Sequence, residues 1–183
     1  KNLTRTRKGN DVYIENLIKS GHTSVLEHVG PLTFLLKDVS RVCLMELIRH
    51  RVGTAYSQTS GRYVREDFDM YVPECIENNE LALDKWNQTV NKIKEMYSEL
   101  ESAFEFDKKP FSYKKEVTSA LRRILPNGMT NHMIFSCNHR TARHIIKLRC
   151  NFSAEEEIRK MAFRMAEILK KEFKNIYQDM RLD

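Results

Sequence analysis

Residues Arg49 to Tyr63 read RHRVGTAYSQTSGRY, and the side chains crowded there are those that recognise anions. Arg49, Arg51 and Arg62 present planar guanidinium forks that match carboxylate or phosphate oxygens in pairs. Ser57, Thr59 and Ser60 add hydroxyls, Gln58 adds an amide, and backbone N–H groups beside Gly53 and Gly61 allow a small anion to approach closely. Two readings follow from residue types alone. The stretch is a nucleotide- or phosphate-binding loop, or it is a solvated basic loop whose arginines face the negative end of a preceding helix. The helix-end reading accounts for one arginine and leaves the hydroxyl run without a purpose.

A second cluster lies far along the chain, in NHRTARHIIKLR. On a helix Arg140 and His144 are four apart and share a face, with Arg149 close to the same stripe. That line of donors is either a solvated face or one wall of a nucleotide pocket.

The elements that must hold these groups are legible from periodicity. NDVYIENLIKSG predicts a helix with Val12, Ile14, Leu17 and Ile18 near one face, Asn10 or Asp11 as its cap and Gly21 as its stop. PLTFLLKD reads as a short buried strand, and SRVCLMELIRHR as a helix capped by Ser40 and running into the basic stretch. Gly53 and the Ser/Thr cluster after it read as a loop, and YVREDFDMYV as an extended segment before Pro73.

Leu81 to about Phe104 predicts a long amphipathic helix with Trp86, Val90, Ile93, Tyr97, Leu100 and Phe104 in a stripe for core or subunit packing. YKKEVTSALRRILPNG gives a helix closed by Pro126, MTNHMIFSCN a strand, and HRTARHIIKLRC a helix. Ser153 with Glu156 forms a capping-box pattern for a last long helix whose apolar face is Ile158, Met161, Met165, Ile168, Leu169 and Phe173. The sum is an α+β fold, mostly helical with a small, mainly antiparallel sheet, in a single domain over residues 1–183.

Composition sets the class of partner. With 41% hydrophobic and 31% charged residues the chain is expected to fold. Lys plus Arg exceed Asp plus Glu by 31 to 25, a net charge of +6 that favours anionic partners. No run of about eighteen apolar residues and no apolar leader is seen, so a cytoplasmic protein without a membrane partner is expected. Cys43, Cys75, Cys137 and Cys150 show neither C-x-x-C pairing nor zinc-ligand spacing, which reads as reduced, mostly buried thiols and no metal site.

Taken in chain order, GHTSVLEH, RHR…SGRY and NHRTARH…LR resemble the flavin-dependent thymidylate synthases, the ThyX family, from about Asn10 to the C-terminal helix. The family spaces its Arg-His-Arg and Ser by seven residues. Here eight stand between them, Val52 to Thr59, and the added residue is expected near Gly53. Family members usually open with a strand and an AAR-like segment, which is expected to be missing ahead of KNLTRTRKGN.

The resemblance implies reductive methylation of dUMP to dTMP, with methylenetetrahydrofolate as carbon donor, FAD as cofactor and NADPH as reductant of the flavin. It implies a homotetramer whose active sites gather residues from several subunits. It also assigns roles. Arg49, His50, Arg51, Gln58, Asn138, Arg140, His144 and Ser24 would contact FAD, and His22 would lie near flavin and folate. Glu46, Arg49, Gln58, Thr59, Ser60, Gly61, Arg62, Arg122 and Arg149 would hold dUMP, with Arg149 favouring the ionised pyrimidine. Glu46 stands where the family often has Gln, and a carboxylate there donates to a uracil carbonyl only when protonated. No cysteine nucleophile is implied. Cys150 is read as inert, and His28, His132 and His139 as structural. Two rival readings are a methylase of UMP or another pyrimidine nucleotide, and a non-catalytic, basic nucleic-acid-binding module. The module lacks aromatics interleaved with its basic residues, so no nucleic-acid partner is expected.

Overall fold

The computed structural model describes residues 9–60, 68–105 and 109–180. The helices are α1 (Asn10–Lys19), α2 (Arg41–Leu47), α3 (Glu74–Glu77), α4 (Glu80–Ser102), α5 (Phe111–Leu121), α6 (His139–Arg149), α7 (Glu156–Glu172) and α8 (Lys174–Tyr177). Short 3₁₀ helices cover Thr23–Glu27 and Arg122–Ile124. Strands β1 (Leu32–Ser40), β2 (Thr54–Gln58) and β3 (Thr130–Cys137) form one antiparallel sheet in the order β1-β3-β2. The α+β, mostly helical expectation with a small antiparallel sheet is what the chain adopts. Among the described residues no helix is long and apolar enough to cross a membrane.

Contacts divide the chain into two compact units. The first holds residues 1–34, 47–56 and 135–183, and the second holds 35–46 and 57–134. In the first, α6 packs on α7 and on the Thr23–Glu27 helix, and α8 packs on α1 and α7. Ala142, Ile145 and Ile146 of α6 are buried, as are Ile158, Ala162, Met165, Ala166 and Leu169 of α7. A ladder of stacked rings crosses the sheet here, Phe34 to Phe135 at 6.0 Å and Phe135 to Tyr56 at 5.4 Å between centroids. Such cross-strand aromatic pairs hold register in a sheet buried on one face. In the second unit Phe68, Tyr97, Val117, Leu121, Leu125 and Met129 make the buried cluster.

Several local expectations are corrected. Residues Thr54–Gln58 are strand rather than loop, because β3 supplies a partner that no local pattern announces. PLTFLLKD does belong to a strand, but one whose exposure alternates, with Leu32 buried and Leu35 59% exposed. The cap of α1 is Gly9, whose backbone has φ 115°, and neither Asn10 nor Asp11 caps it. The helix stops as expected. Gly21, at φ 75°, sends its N–H to Ile18 O, and His22 N–H donates to Leu17 O at 2.9 Å. These are the paired bonds of a glycine C-cap.

The cap of α7 is also reassigned. Glu155 Oε2 accepts from Glu157 N at 2.8 Å and Ile158 N at 3.3 Å, while Ser153 is drawn off by Asn151 Oδ1. On the apolar face of α7, Ile168 and Phe173 are exposed. Ser40 caps α2 as expected, its Oγ accepting from Cys43 N at 3.1 Å. Half of the extended segment expected before Pro73, residues 63–67, lies outside the described residues, and in the other half Met70 bridges Met129.

Candidate functional site

The turn that carries Arg49, His50 and Arg51 follows α2 and is fastened from below by β2. His50 N–H donates to Leu47 O at 3.0 Å, and His50 O accepts from Thr54 Oγ1 at 2.7 Å and from the Tyr56 hydroxyl. The same hydroxyl also reaches Leu47 O at 2.9 Å. Burial above all raises the Tyr56 pKa, so this group stays a protonated donor at neutral pH.

The turn then docks on the start of α6. Thr141 Oγ1 donates to Val52 O at 2.8 Å, Asn138 N donates to Gly53 O at 3.3 Å, and Asn138 Oδ1 caps the helix by accepting from Thr141 N at 2.8 Å. Gly53 is required at this junction. Its φ is 68°, and a β-carbon would stand 2.6 Å from Asn138 Nδ2 and 2.7 Å from Thr141 Oγ1.

Between the turn and α6 opens a cleft of about 390 Å³ lined by Glu27, Arg49, His50, Arg51, Val52, Arg140, Thr141 and His144. Three arginines and two histidines face one carboxylate, Glu27, which pairs with Arg140. No carboxylate pairs with Arg49 or Arg51 among the described residues. At the far end of α6 the Arg149 Nε–H donates to His50 Nε2 at 3.0 Å. The His50 and His144 rings meet edge to face, 6.2 Å between centroids. The pKa of His50 is held below the ordinary 6.5, first by burial and then by the charges of Arg149 and His144, so its imidazole is neutral at pH 7. The cleft therefore offers permanent positive charge together with neutral imidazole, a donor set that suits a phosphorylated, planar ligand.

Among the described residues, those singled out from the sequence fall into three groups. Arg49, His50, Arg51, Arg140 and His144 line this cleft, Asn138 caps the helix that forms its wall, and Arg149 is hydrogen-bonded to His50. His22 and Ser24 are exposed at the start of the Thr23–Glu27 helix, whose last residue reaches the cleft. Glu46, Gln58, Thr59, Ser60 and Arg122 belong to the second unit, where Thr59 N–H donates to His132 O at 3.0 Å and Thr59 O accepts from Asn131 Nδ2 at 3.1 Å. Gly61 and Arg62 lie outside the described residues.

Sequence reasoning passed over Glu27, Tyr56 and Thr141. Glu27 sits inside the quoted GHTSVLEH, and a carboxylate before a basic cluster was the available signal. The thiols behave as expected of inert groups: burial pushes Cys150 up to about 11 and Cys137 up to about 12, and only Cys75 is exposed. His139 is buried and its Nδ1 stands 3.0 Å from the Tyr177 hydroxyl.

Nearly the whole chain is also similar to known proteins. The family model described as thymidylate synthase complementing protein matches residues 1–173. A flavin-dependent thymidylate synthase of Corynebacterium diphtheriae is 33% identical over 175 residues, covering 93% of this chain and 69% of that protein. Those of Mycobacterium marinum and Mycobacterium tuberculosis are 34% and 35% identical over 155 residues, 82% of this chain and 61% of each. The chain thus spans 61% to 69% of the length of these relatives.

Proposed function

Because the chain belongs to the thymidylate synthase complementing protein family, we propose that it makes dTMP by reductive methylation of dUMP, using methylenetetrahydrofolate, FAD and NADPH. The observation that carries this reading is the docking of the Arg49–Val52 turn on α6, which gathers two sequence-distant basic clusters around one cleft. The donors there fit the cofactor: Arg49, Arg51 and Arg140 bring more positive charge than Glu27 balances, as a pyrophosphate requires. The chemistry an FAD bound there supplies is hydride delivery to the transferred one-carbon unit.

The remaining work falls to the chain itself. Arg49, Arg51 and Arg140 hold anionic oxygens, and Asn138 and His144 present donors from the α6 wall. His22 and Ser24 serve the flavin and folate side. Arg149 places fixed positive charge beside the pyrimidine and stabilises its anionic form, which is electrostatic preorganisation rather than nucleophilic attack. Protonated thiols at Cys137 and Cys150 agree with a reaction that uses no cysteine nucleophile. Ser60, Gly61 and Arg62, with Thr59, Gln58, Glu46 and Arg122, grip dUMP in a cytoplasmic homotetramer whose sites draw on more than one subunit.

The test is to incubate the purified protein with FAD, NADPH, dUMP and methylene-deuterated folate donor. Flavin absorbance that stays with the protein and deuterium in the methyl group of dTMP are expected. A flavin-loaded protein that yields no labelled dTMP overturns the reading. Arg149→Ala is expected to lower turnover roughly a hundredfold or more with an unchanged melting temperature. Near-normal turnover removes Arg149 from the mechanism.

A further inference from the structure

The bond between Arg149 and His50 joins residues 99 apart in sequence, and its two ends are built very differently. His50 is a fixed post. Its N–H is tied to Leu47 O and its carbonyl takes the Thr54 and Tyr56 hydroxyls, so the backbone that carries the imidazole is pinned to α2 and β2. Arg149 is the last residue of α6, before a Cys150 C-cap with ψ 54°, and it carries a long side chain with much rotamer freedom to lose. A guanidinium is planar and its Cδ–Nε bond lies in that plane, so with the stem in place the direction of the Nε–H fixes the plane in which its terminal nitrogens lie.

The identity of the acceptor matters as well. A carboxylate in the place of His50 would orient Arg149 and also cancel its charge. A neutral imidazole orients it and itself cancels none of that charge. Imidazole can accept through Nε2 only as the Nδ1–H tautomer, because the imidazolium donates at both nitrogens. The groups around the ring favour the neutral form. Arg149 and His144 face it from α6, Arg49 and Arg51 flank it in its own turn, and Arg140 lines the same cleft. Glu27, the one carboxylate lining the cleft, is already paired with Arg140. The Thr54 and Tyr56 hydroxyls engage the backbone carbonyl of His50.

We propose that His50 is a positioning residue for Arg149: its neutral, Nδ1-protonated imidazole sets the plane of the Arg149 guanidinium for the pyrimidine without neutralising it. The inference rests on the thymidylate reading for what Arg149 does, and on the geometry alone for how it is held. Protonating His50 removes the acceptor and sets a cation against Arg149, so the arrangement fails on the acid side. With the His50 pKa held below 6.5, that failure falls below pH 6.5 and leaves neutral pH untouched.

Two measurements test this, one of them without any reaction. In protein labelled with ¹⁵N-histidine, the nitrogen shifts of His50 at pH 7.5 are expected to show the Nδ1–H tautomer. Arg149→Gln is expected to raise the His50 pKa toward 6.5. An Nε2–H tautomer in the wild-type protein, or a His50 pKa indifferent to Arg149→Gln, overturns the proposal.

In the dTMP assay His50→Leu is expected to lower kcat/KM by about ten- to a hundredfold, the scale of one charge-assisted hydrogen bond. His50→Gln, whose Oε1 reaches about as far as the imidazole Nε2 and accepts at any pH, is expected to recover most of that loss and to abolish the acid limb of the pH profile. A His50→Gln variant as impaired as His50→Leu, or one that keeps the wild-type acid limb, overturns the proposal. Wild-type protein that makes no dTMP while His50 shows the Nδ1–H tautomer places the failure with the reaction and not with the bond.

Discussion

Helices α4 and α6 start alike and end up in opposite situations. Each opens on an asparagine whose Oδ1 accepts a backbone N–H three residues on, Asn79 from Ala82 at 3.1 Å and Asn138 from Thr141 at 2.8 Å. Each carries an apolar stripe at helical spacing. Yet α6 buries five of its eleven residues, whereas α4 buries only Tyr97 and Glu101 of its twenty-three. The Trp86, Val90 and Ile93 stripe of α4 lines an open apolar groove of about 490 Å³, with Met70 and Pro126. The polar side of α6 is what becomes the cleft, because the Val52–Gly53 turn is locked against its first residues. A stripe on a helix states that something will cover it. It does not state what: α6 is covered by α7 and the Thr23–Glu27 helix, and a turn distant in sequence docks on its first residues and makes its polar edge a cleft wall.

The comparison is broken most forcefully at Gly53. Gly53→Ala forces a side chain into the left-handed region and drives its β-carbon to 2.6 Å from Asn138 and 2.7 Å from Thr141. Left-handed backbone costs about 1–2 kcal/mol and the overpacking about 1–3 more, so a loss of about 2–5 kcal/mol in thermal or urea unfolding is expected. Flavin retention should fall with it, since the turn can no longer seat on α6. A variant as stable and as yellow as the wild type would show that the docked turn is not what makes α6 different.

That junction also marks where the sequence stops being readable. Arg49, His50, Arg51, Arg140, His144 and Arg149 announce themselves by residue type and helical spacing, and α6 and α7 follow from apolar periodicity. Glu27 does not, because its partner Arg140 is 113 residues away. Thr141 bonds the carbonyl of Val52 across 89 residues, and Tyr56 reads as one hydroxyl among many until its bonds to Leu47 and His50 are seen. Strand β2 was hidden for the same reason. TAYSQ has no branched apolar alternation, and it is strand because β3 lies beside it. Ser153 shows the converse: a capping pattern complete in sequence was undone by a nearer competitor, Asn151. Local rules reached the helices, and the non-local hydrogen bonds that assemble the site lay beyond them.

A smaller effect sharpens the contrast at the two caps. Replacing an N-cap asparagine by alanine costs about 0.5–2 kcal/mol, and exposure decides where in that range it falls. Asn79→Ala is expected near the lower end, because Asn79 is exposed. Asn138→Ala is expected near the upper end, because the half-buried Asn138 side chain also packs against Gly53. Equal losses in parallel urea melts would mean that the α6 cap is only a cap, and that Thr141 alone carries the docking.

The least change is expected on α4 itself, and it is the most informative about that helix. Trp86 Nε1 is buried without a hydrogen-bond partner among the described residues, a group whose desolvation costs about 1–3 kcal/mol. Trp86→Phe removes that donor together with part of the indole's apolar area, worth about 25 cal/mol per Å². The two changes oppose each other, and the groove is open, so the site relaxes without leaving a closed void. Stability is therefore expected to move by less than about 1 kcal/mol in either direction. A loss well above that, growing steeper as protein concentration falls, would show the α4 stripe covered by a second copy of the chain and α4 as thoroughly buried in the working assembly as α6 is in the single chain.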